Sequence, residues 1–297
     1  MLNLSVTTNG LGWKWVTNKP PSFRQFRQRP TPILVDYVSD LLSRKVVKKV
    51  KSIRFQGRLF HVPKRDSDKL RVILDLSRLN KFIQCDKFRM LTISEVRTLL
   101  PRGAVTTSID FTDAFYHVPI ARHPSSFLGF KLGRQAYCFR AMPFGLNIAP
   151  RAFTKLADVV VQALRDQGIS VAAYLDDWII WAPSVEECLE ATRKVIHFVQ
   201  KLGFLVNFEK SRLTPASIFE WIGLHWNLTK HTLSLPKSKC KQVAKATRQF
   251  LSRPQSTRRA QERVLGSLQF ASITDPMLKV RLKDVKRVWR RKANCRL

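Results

Sequence analysis

The sequence predicts an α+β or α/β body followed by a helical C-terminal lobe. Three observations carry this. Apolar and β-branched runs occur in pairs around polar turns, the pattern of hairpins. Between the pairs lie segments with apolar residues at helical spacing, two of them opened by capping boxes. From Pro236 onward the helical pattern continues without strands, in a stretch dense in Lys and Arg. Strands paired as hairpins with helices between them fit a mixed layered fold.

Each element follows from local pattern. Residues 1 to about 32 read as an extension. Trp13, Trp15, Phe23 and Phe26 alternate there with Lys14, Lys19, Arg24, Arg27 and Arg29, and Pro20, Pro21, Pro30 and Pro32 break regular structure. Two readings stand: a basic-aromatic arm that tracks single-stranded nucleic acid, or a linker whose aromatics pack onto the body. In 33–50, Ile33, Leu34, Tyr37, Val38, Leu41 and Leu42 have helical spacing, and Lys45, Lys48, Lys49 and Lys51 follow. Residues 59–64 and 70–76 read as a strand pair around the polar turn 65–69, with Lys64 and Arg71 flanking the turn. Thr92 with Glu95 is a capping box for a helix to Leu100. Residues 104–109 are β-rich and deliver Asp110 at the strand's end. Residues 127–130 and 136–139 form a hairpin with Gly133 at its turn. Pro150 sits in the first turn of a helix that buries Phe153, Leu156, Val159, Val160 and Leu164 and runs to about Gly168.

The central hairpin joins Val171-Ala172-Ala173 to Trp178-Ile179-Ile180-Trp181 through Tyr174-Leu175-Asp176-Asp177. Ser184 with Glu187 caps the next helix, which ends at Gly203. A strand over 204–208 leads to Glu209-Lys210. A further hairpin pairs 219–224 with 228–235. About three basic helices complete the chain.

Composition narrows the function classes. Across 297 residues, 53 Lys+Arg against 21 Asp+Glu give a net charge of +32, which points to a polyanionic partner such as nucleic acid. From Lys241 onward sixteen Lys/Arg oppose Glu262, Asp275 and Asp284. The centre, which carries the carboxylates, is closer to neutral. Cys85, Cys138, Cys188, Cys240 and Cys295 show neither CxxC nor zinc-ligand spacing and read as free thiols. No apolar run has the length of a membrane span, and the N-terminus lacks signal-peptide order. The expected location is cytoplasmic or nuclear, neither secreted nor membrane-bound.

The chemistry-bearing residues are Asp110, Asp176 and Asp177. Asp-Asp between strands is also a common simple turn. Three carboxylates on separate elements can nonetheless converge, and hard divalent cations take such oxygen ligands. Two such ions stabilise the attacking and leaving oxygens of an in-line displacement. Lys64 and Arg71 would neutralise leaving phosphates.

At this point the chain resembles a reverse transcriptase. The resemblance is carried in order by Lys64…Arg71, Ser108 to Phe115, Pro143 to Pro150, Tyr174 to Asp177, Phe204 to Ser211 and Phe219 to Gly223, over roughly residues 33–235. Tyr116 to Ile120, Phe144 to Lys155, Leu202 to Pro215, Leu235 to Lys239 and Leu265 to Leu268 look most like retrotransposons of the DIRS type. The resemblance implies a right-hand polymerase fold: fingers, a palm with an antiparallel sheet, and a helical thumb. Fingers would span 33–84 and 118–147, palm 85–117 and 148–230, and a thumb-like region 231–297, after the extension 1–32.

It further implies RNA-directed DNA synthesis from a primer 3′-hydroxyl. Asp110, Asp176 and Asp177 would hold two Mg²⁺ ions, with Mn²⁺ as a possible substitute. Lys64, Arg71 and the backbone amides of Asp113 and Ala114 would contact the incoming dNTP. Phe115 would exclude a 2′-hydroxyl, and Phe144, where retroviral relatives carry Gln, would line the pocket. Lys210 would protonate pyrophosphate. Trp221 and Gly223 would position the primer end. The partners implied are an RNA or DNA template with primer, and dNTPs. RNase H and recombinase modules, if any, are expected on other chains or in sequence not present here. The competing class is a catalytically inactive or domesticated nucleic-acid-binding remnant; the retained aspartate triad favours the enzyme.

Overall fold

The computed structural model describes residues 6–7, 10–17, 23, 26–63, 70–252 and 257–284. A short antiparallel pair, β1 (Val6–Thr7) with β2 (Gly10–Leu11), precedes helix α1 (Pro32–Ser43). Next come β3 (Val47–Val50), β4 (Arg58–Pro63), β5 (Leu70–Asp75), α2 (Ser77–Asn80), α3 (Ile93–Leu99) and β6 (Val105–Asp110). A 3₁₀ turn (Ala114–His117), α4 (Arg122–Ser125), the hairpin β7 (Gly129–Leu132) with β8 (Gln135–Phe139), and α5 (Ala149–Arg165) follow. Then come β9 (Val171–Tyr174), β10 (Asp177–Ala182), α6 (Val185–Lys201), β11 (Arg212–Ala216), β12 (Ile218–Trp221), β13 (Leu224–Asn227) and β14 (Thr232–Ser234). Helices α7 (Lys237–Leu251) and α8 (Arg258–Ala271) close the labelled elements, and 276–284 is also helical.

The chain divides into two compact units. The first takes in Met1–Met90, Ile109–Trp178 and Arg193–Ser211; the second takes in Leu91–Ser108, Ile179–Thr192 and Arg212–Leu297. A four-stranded sheet is ordered β11-β6-β10-β9.

In the first unit, β3-β8-β7 form a sheet and β4-β5 a hairpin. Its core is aromatic: Phe127, Phe130, Phe139 and Phe153 are fully buried. Helix α1 begins where Thr31 accepts the Leu34 N–H at 3.4 Å, with Pro32 in the first turn. It buries Leu34, Val38 and Leu41, one stripe of the expected face; Ile33 is 40% exposed. In the second unit, β12-β13-β14 form a sheet, and Thr92 and Glu95 cap α3 reciprocally. α7 buries no side chain.

The structure corrects several sequence expectations. Val47–Val50 is a strand: the Val-Lys-Lys-Val pattern hides a register in which Lys48 faces Cys138 and Lys49 faces Tyr137 on β8. On α5, Val159 points to solvent at 68% exposure, while Ala157, Val160, Val161 and Leu164 share the buried face. Val159 lies about 150° off the centre of that face at 100° per residue. Residues 204–208 are not a strand; only Val206 bridges, to Phe111. The Asn207 N–H to Asp110 carbonyl and Thr112 N–H to Leu205 carbonyl bonds make that bridge, and no ladder extends because the Leu205 N–H goes to His117 and the Asp110 N–H to Ser211 Oγ. The hairpin expected over 219–235 is a three-stranded meander. Ile222 and Gly223, both at positive φ (46° and 72°), make a two-residue turn joining β12 to β13. Arg212–Ala216 pairs with β6, a strand that local pattern did not announce.

Candidate active site

Asp110 ends β6, and Asp176 and Asp177 lie at the turn from β9 to β10. Leu175 takes the left-handed φ of 53° at that turn. Its carbonyl accepts the Trp178 indole N–H at 3.0 Å, which locks the conformation from below. Trp178 is fully buried and meets Phe111 edge-on at 5.1 Å. Each ring follows a candidate carboxylate in sequence, so one aromatic contact fixes Asp110 relative to Asp177. The Asp110 N–H donates to Ser211 Oγ at 3.1 Å, and its carbonyl accepts the Asn207 N–H at 2.8 Å. That clamp carries Lys210 between the two anchoring residues.

The electrostatics place these groups in one neighbourhood. Burial pushes the Asp177 carboxyl up to about 6, repulsion from Asp176 and Asp110 adds to the rise, and Lys210 opposes it. Asp176 is exposed and Asp177 half-buried. Asp110, Asp176 and Lys210 line a cavity of about 450 Å³. Among the described residues no three His, Cys, Asp or Glu side chains close into a metal cage. An open, all-oxygen donor set nevertheless suits a hard cation that keeps its waters and takes one or two carboxylates.

The same cavity is lined by Asp113, Ala114, Phe115 and Phe144. Asp113 has φ 49° and ψ 50° and opens the 3₁₀ turn. Phe115 packs on Phe144 (5.1 Å between centroids) and Phe153 (5.8 Å). The Phe144 loop is held by Asn80, whose Nδ2 donates to the Gly145 carbonyl at 2.8 Å and whose Oδ1 accepts the Asn147 N–H at 3.0 Å. Gly145 sits at φ 102°, where a Cβ would come 2.3 Å from the Leu74 carbonyl oxygen, so only glycine fits. Below the pocket, His117 is held neutral: Nε2 accepts the Leu205 N–H at 2.9 Å, Nδ1–H faces the Ala114 carbonyl at 3.0 Å, and burial keeps its pKa below the usual range.

The family described as reverse transcriptase (RNA-dependent DNA polymerase) matches residues 62–226, more than half of the chain. This chain belongs to the reverse transcriptase family. Protein P of heron hepatitis B virus is 27% identical over 192 residues, covering 63% of this chain and 24% of the relative. The Pro-Pol polyprotein of simian foamy virus type 1 is 26% identical over 253 residues, covering 85% of this chain and 21% of the relative. The chain thus spans about a quarter of the length of such relatives. The foamy viral protease-reverse transcriptase dRH, solved in complex with double-stranded DNA, superposes with a TM-score of 0.71 at 23% identity, over 86% of this chain and 43% of that one. The foamy viral protease-reverse transcriptase in complex with an RNA/DNA hybrid gives 0.67 at 20%, over 95% and 36%. The fold is therefore that of reverse transcriptase polymerase domains, the right-hand class.

The remaining expected site residues of this chain divide as follows. Lys64 lies outside the described residues. Arg71 pairs through its backbone with Val62, and its side chain lies outside the description. Trp221 and Gly223 belong to the second unit, at the β12–β13 turn, with Trp221 5% exposed. A Cβ on Gly223 would meet Lys239 Nζ at 2.4 Å, and that ammonium donates to the Gly223 carbonyl at 3.3 Å.

The N-terminal aromatics pack onto the body: Trp15 meets Phe127 at 4.7 Å and Phe23 meets Phe55 at 4.4 Å. Phe26 is 37% exposed beneath Arg58. Arg27 and Arg29 line a separate cleft with Arg58.

Sequence reasoning passed over Tyr37, Asp40, Arg44 and Tyr116, which line the cavity with the aspartates. The signal was present: Tyr37, Asp40 and Arg44 stand at i, i+3 and i+7, on one helix face. Among the described residues no helix is long and apolar enough to cross a membrane, and Cys85, Cys138, Cys188 and Cys240 are free thiols.

Proposed function

We propose that this chain is an RNA-directed DNA polymerase that adds deoxynucleotides to a primer 3′-hydroxyl. The observation that carries the reading is the meeting of Asp110, Asp176 and Lys210 around one cavity with Phe115 in its wall, with Asp177 coupled electrostatically to all three charged groups. Asp110, Asp176 and Asp177 would hold two Mg²⁺ ions, which when bound supply charge for the attacking and leaving oxygens. The raised Asp177 carboxyl must ionise before it serves. Asp113 and Ala114 offer backbone N–H groups to the triphosphate, with Lys64 and Arg71 as side-chain partners. Phe115, braced by Phe144 and Phe153, would exclude a 2′-hydroxyl. Lys210, in the wall of the same cavity, would give a proton to departing pyrophosphate. Trp221 and Gly223 position the primer end.

In this reading residues 33–84 and 118–147 act as fingers, 85–117 and 148–230 as palm, and 231–297 as a basic thumb on duplex phosphates. A retrotransposon origin of the DIRS type is part of the proposal and rests on the motif residues around Tyr116, Phe144 and Leu213. Flanking genomic sequence encoding a tyrosine recombinase would support it, and a hepadnaviral-type gene order would overturn it.

The test is extension of oligo(dT) on poly(rA) with dTTP and Mg²⁺, comparing the wild type with Asp176→Asn. Extension by the wild type alone supports the reading. If neither protein extends a primer it binds, the reading fails in favour of a binding remnant.

A further inference from the structure

The cavity beside Asp110 has a wall that the sequence-derived site does not use. Tyr37, Asp40 and Arg44 reach it from α1. All three lie upstream of the segment 62–226 that matches the family. Helix α1 stops in a Schellman motif: the Val46 N–H bonds the Leu41 carbonyl at 2.9 Å and the Lys45 N–H the Leu42 carbonyl at 3.0 Å, with Lys45 at φ 58°. That stop fixes Arg44 as the C-terminal cap.

From this anchored position the guanidinium makes three contacts. Nη1 pairs with Asp113 Oδ2 at 2.8 Å, and Nη2 pairs with Asp40 Oδ2 at 2.6 Å. The charge lies 5.7 Å from the centre of the Tyr116 ring, and the Tyr116 and Tyr37 hydroxyls meet at 2.5 Å. The end of α1 therefore grips both ends of the turn from Asp113 to Tyr116. Asp113 is held in a left-handed conformation that non-glycine residues seldom adopt. Charge balance adds a second argument. Among the described residues lining the cavity, Asp40, Asp110, Asp113 and Asp176 oppose only Arg44 and Lys210. Without Arg44, the Asp113 carboxylate would stand bare beside the incoming polyphosphate and repel it.

We propose that Arg44 is a positioning residue for the incoming deoxynucleoside triphosphate. It neutralises Asp113 and holds the turn whose Asp113 and Ala114 N–H groups meet the phosphates. The inference rests on the polymerase reading above and deepens it.

The experiment measures dTTP affinity with the chain bound to poly(rA)–oligo(dT) carrying a dideoxy-terminated primer, so that no chemistry is needed. Primer extension is run alongside. Arg44→Gln should weaken dTTP binding about tenfold, the order expected for losing a charge-assisted pair, with the loss in extension falling on KM rather than kcat. Adding Asp113→Asn to Arg44→Gln should restore part of that affinity, since the unpaired charge is gone. A purely structural role for Arg44 would not be rescued in this way. Unchanged dTTP affinity in Arg44→Gln, or no rescue in the double variant, overturns the role of Arg44 while leaving the polymerase reading intact. Equal loss of template affinity also overturns it, because the effect is then not on the nucleotide. If dTTP binds with the expected pattern but no primer is extended, the polymerase reading fails and the nucleotide site stands. If the wild type binds no dTTP, both fail.

Discussion

Replacing Asp177 by Asn should stabilise the metal-free protein while abolishing synthesis. The folded carboxyl is raised from 3.8 to about 6 by burial and by Asp176 and Asp110. A raised carboxyl favours the protonated form in the folded state, so stability is lost as pH climbs from about 4 through about 6. At 1.36 kcal/mol per pKa unit, the penalty reaches about 3 kcal/mol at pH 8 and about 1.6 kcal/mol at pH 5. Both are upper bounds, because the side chain is only half-buried; screening reduces them by about half. Asn carries no charge and escapes the penalty. With roughly 2–4 °C per kcal/mol for a chain of this size, melting should rise by about 3–6 °C at pH 8 and by about half of that at pH 5. The assay is thermal unfolding in chelator at the two pH values, followed by Mg²⁺ titration. Mg²⁺ should raise the wild-type melting temperature more than that of the variant. A variant that melts at or below the wild type at pH 8, or a difference independent of pH, would refute the reasoning.

Phe115→Ala should admit ribonucleotides, seen as a fall in dNTP-over-rNTP discrimination in single-nucleotide extension; unchanged discrimination would remove the gate. Gly145→Ala forces a Cβ onto the Leu74 carbonyl at a φ of 102°, and should cost at least about 1–3 kcal/mol in unfolding free energy, with calorimetry as the check. The basic helices α7 and α8 should make template-primer affinity fall steeply with salt, each removed phosphate contact lowering the log–log slope by about 0.9; a flat salt titration would exclude them. Deleting residues 1–30 should weaken single-strand affinity through Arg27 and Arg29, and unchanged affinity would leave that segment a packing element.

Much of this architecture is written locally. Thr92 and Glu95 announce their helix because both partners of a capping box lie within one turn. Tyr174 to Trp181 announces its hairpin because apolar runs flank a short polar turn, and Asp110 is visible as the end of a β-branched run. What local pattern missed depends on partners distant in sequence. Val47–Val50 becomes a strand only because β8 supplies its ladder. Residues 204–208 fail to become one because His117 takes the Leu205 N–H and Ser211 takes the Asp110 N–H that would extend the Val206–Phe111 bridge. Val159 faces water because the helix is rotated by what packs against it.

The site divides in the same way. The sequence by itself determined which residue types the proposed chemistry would use: three carboxylates, a lysine and a bulky ring, each legible from type, order and resemblance. Only the tertiary structure decided their surroundings. It brought Phe111 against Trp178 beneath the aspartates, raised Asp177 by burial, by its neighbour Asp176 and by Asp110, 67 residues away in sequence, and delivered Arg44 from a separate helix onto Asp113. Electrostatic coupling and packing depend on distance in space, and distance along the chain does not report it.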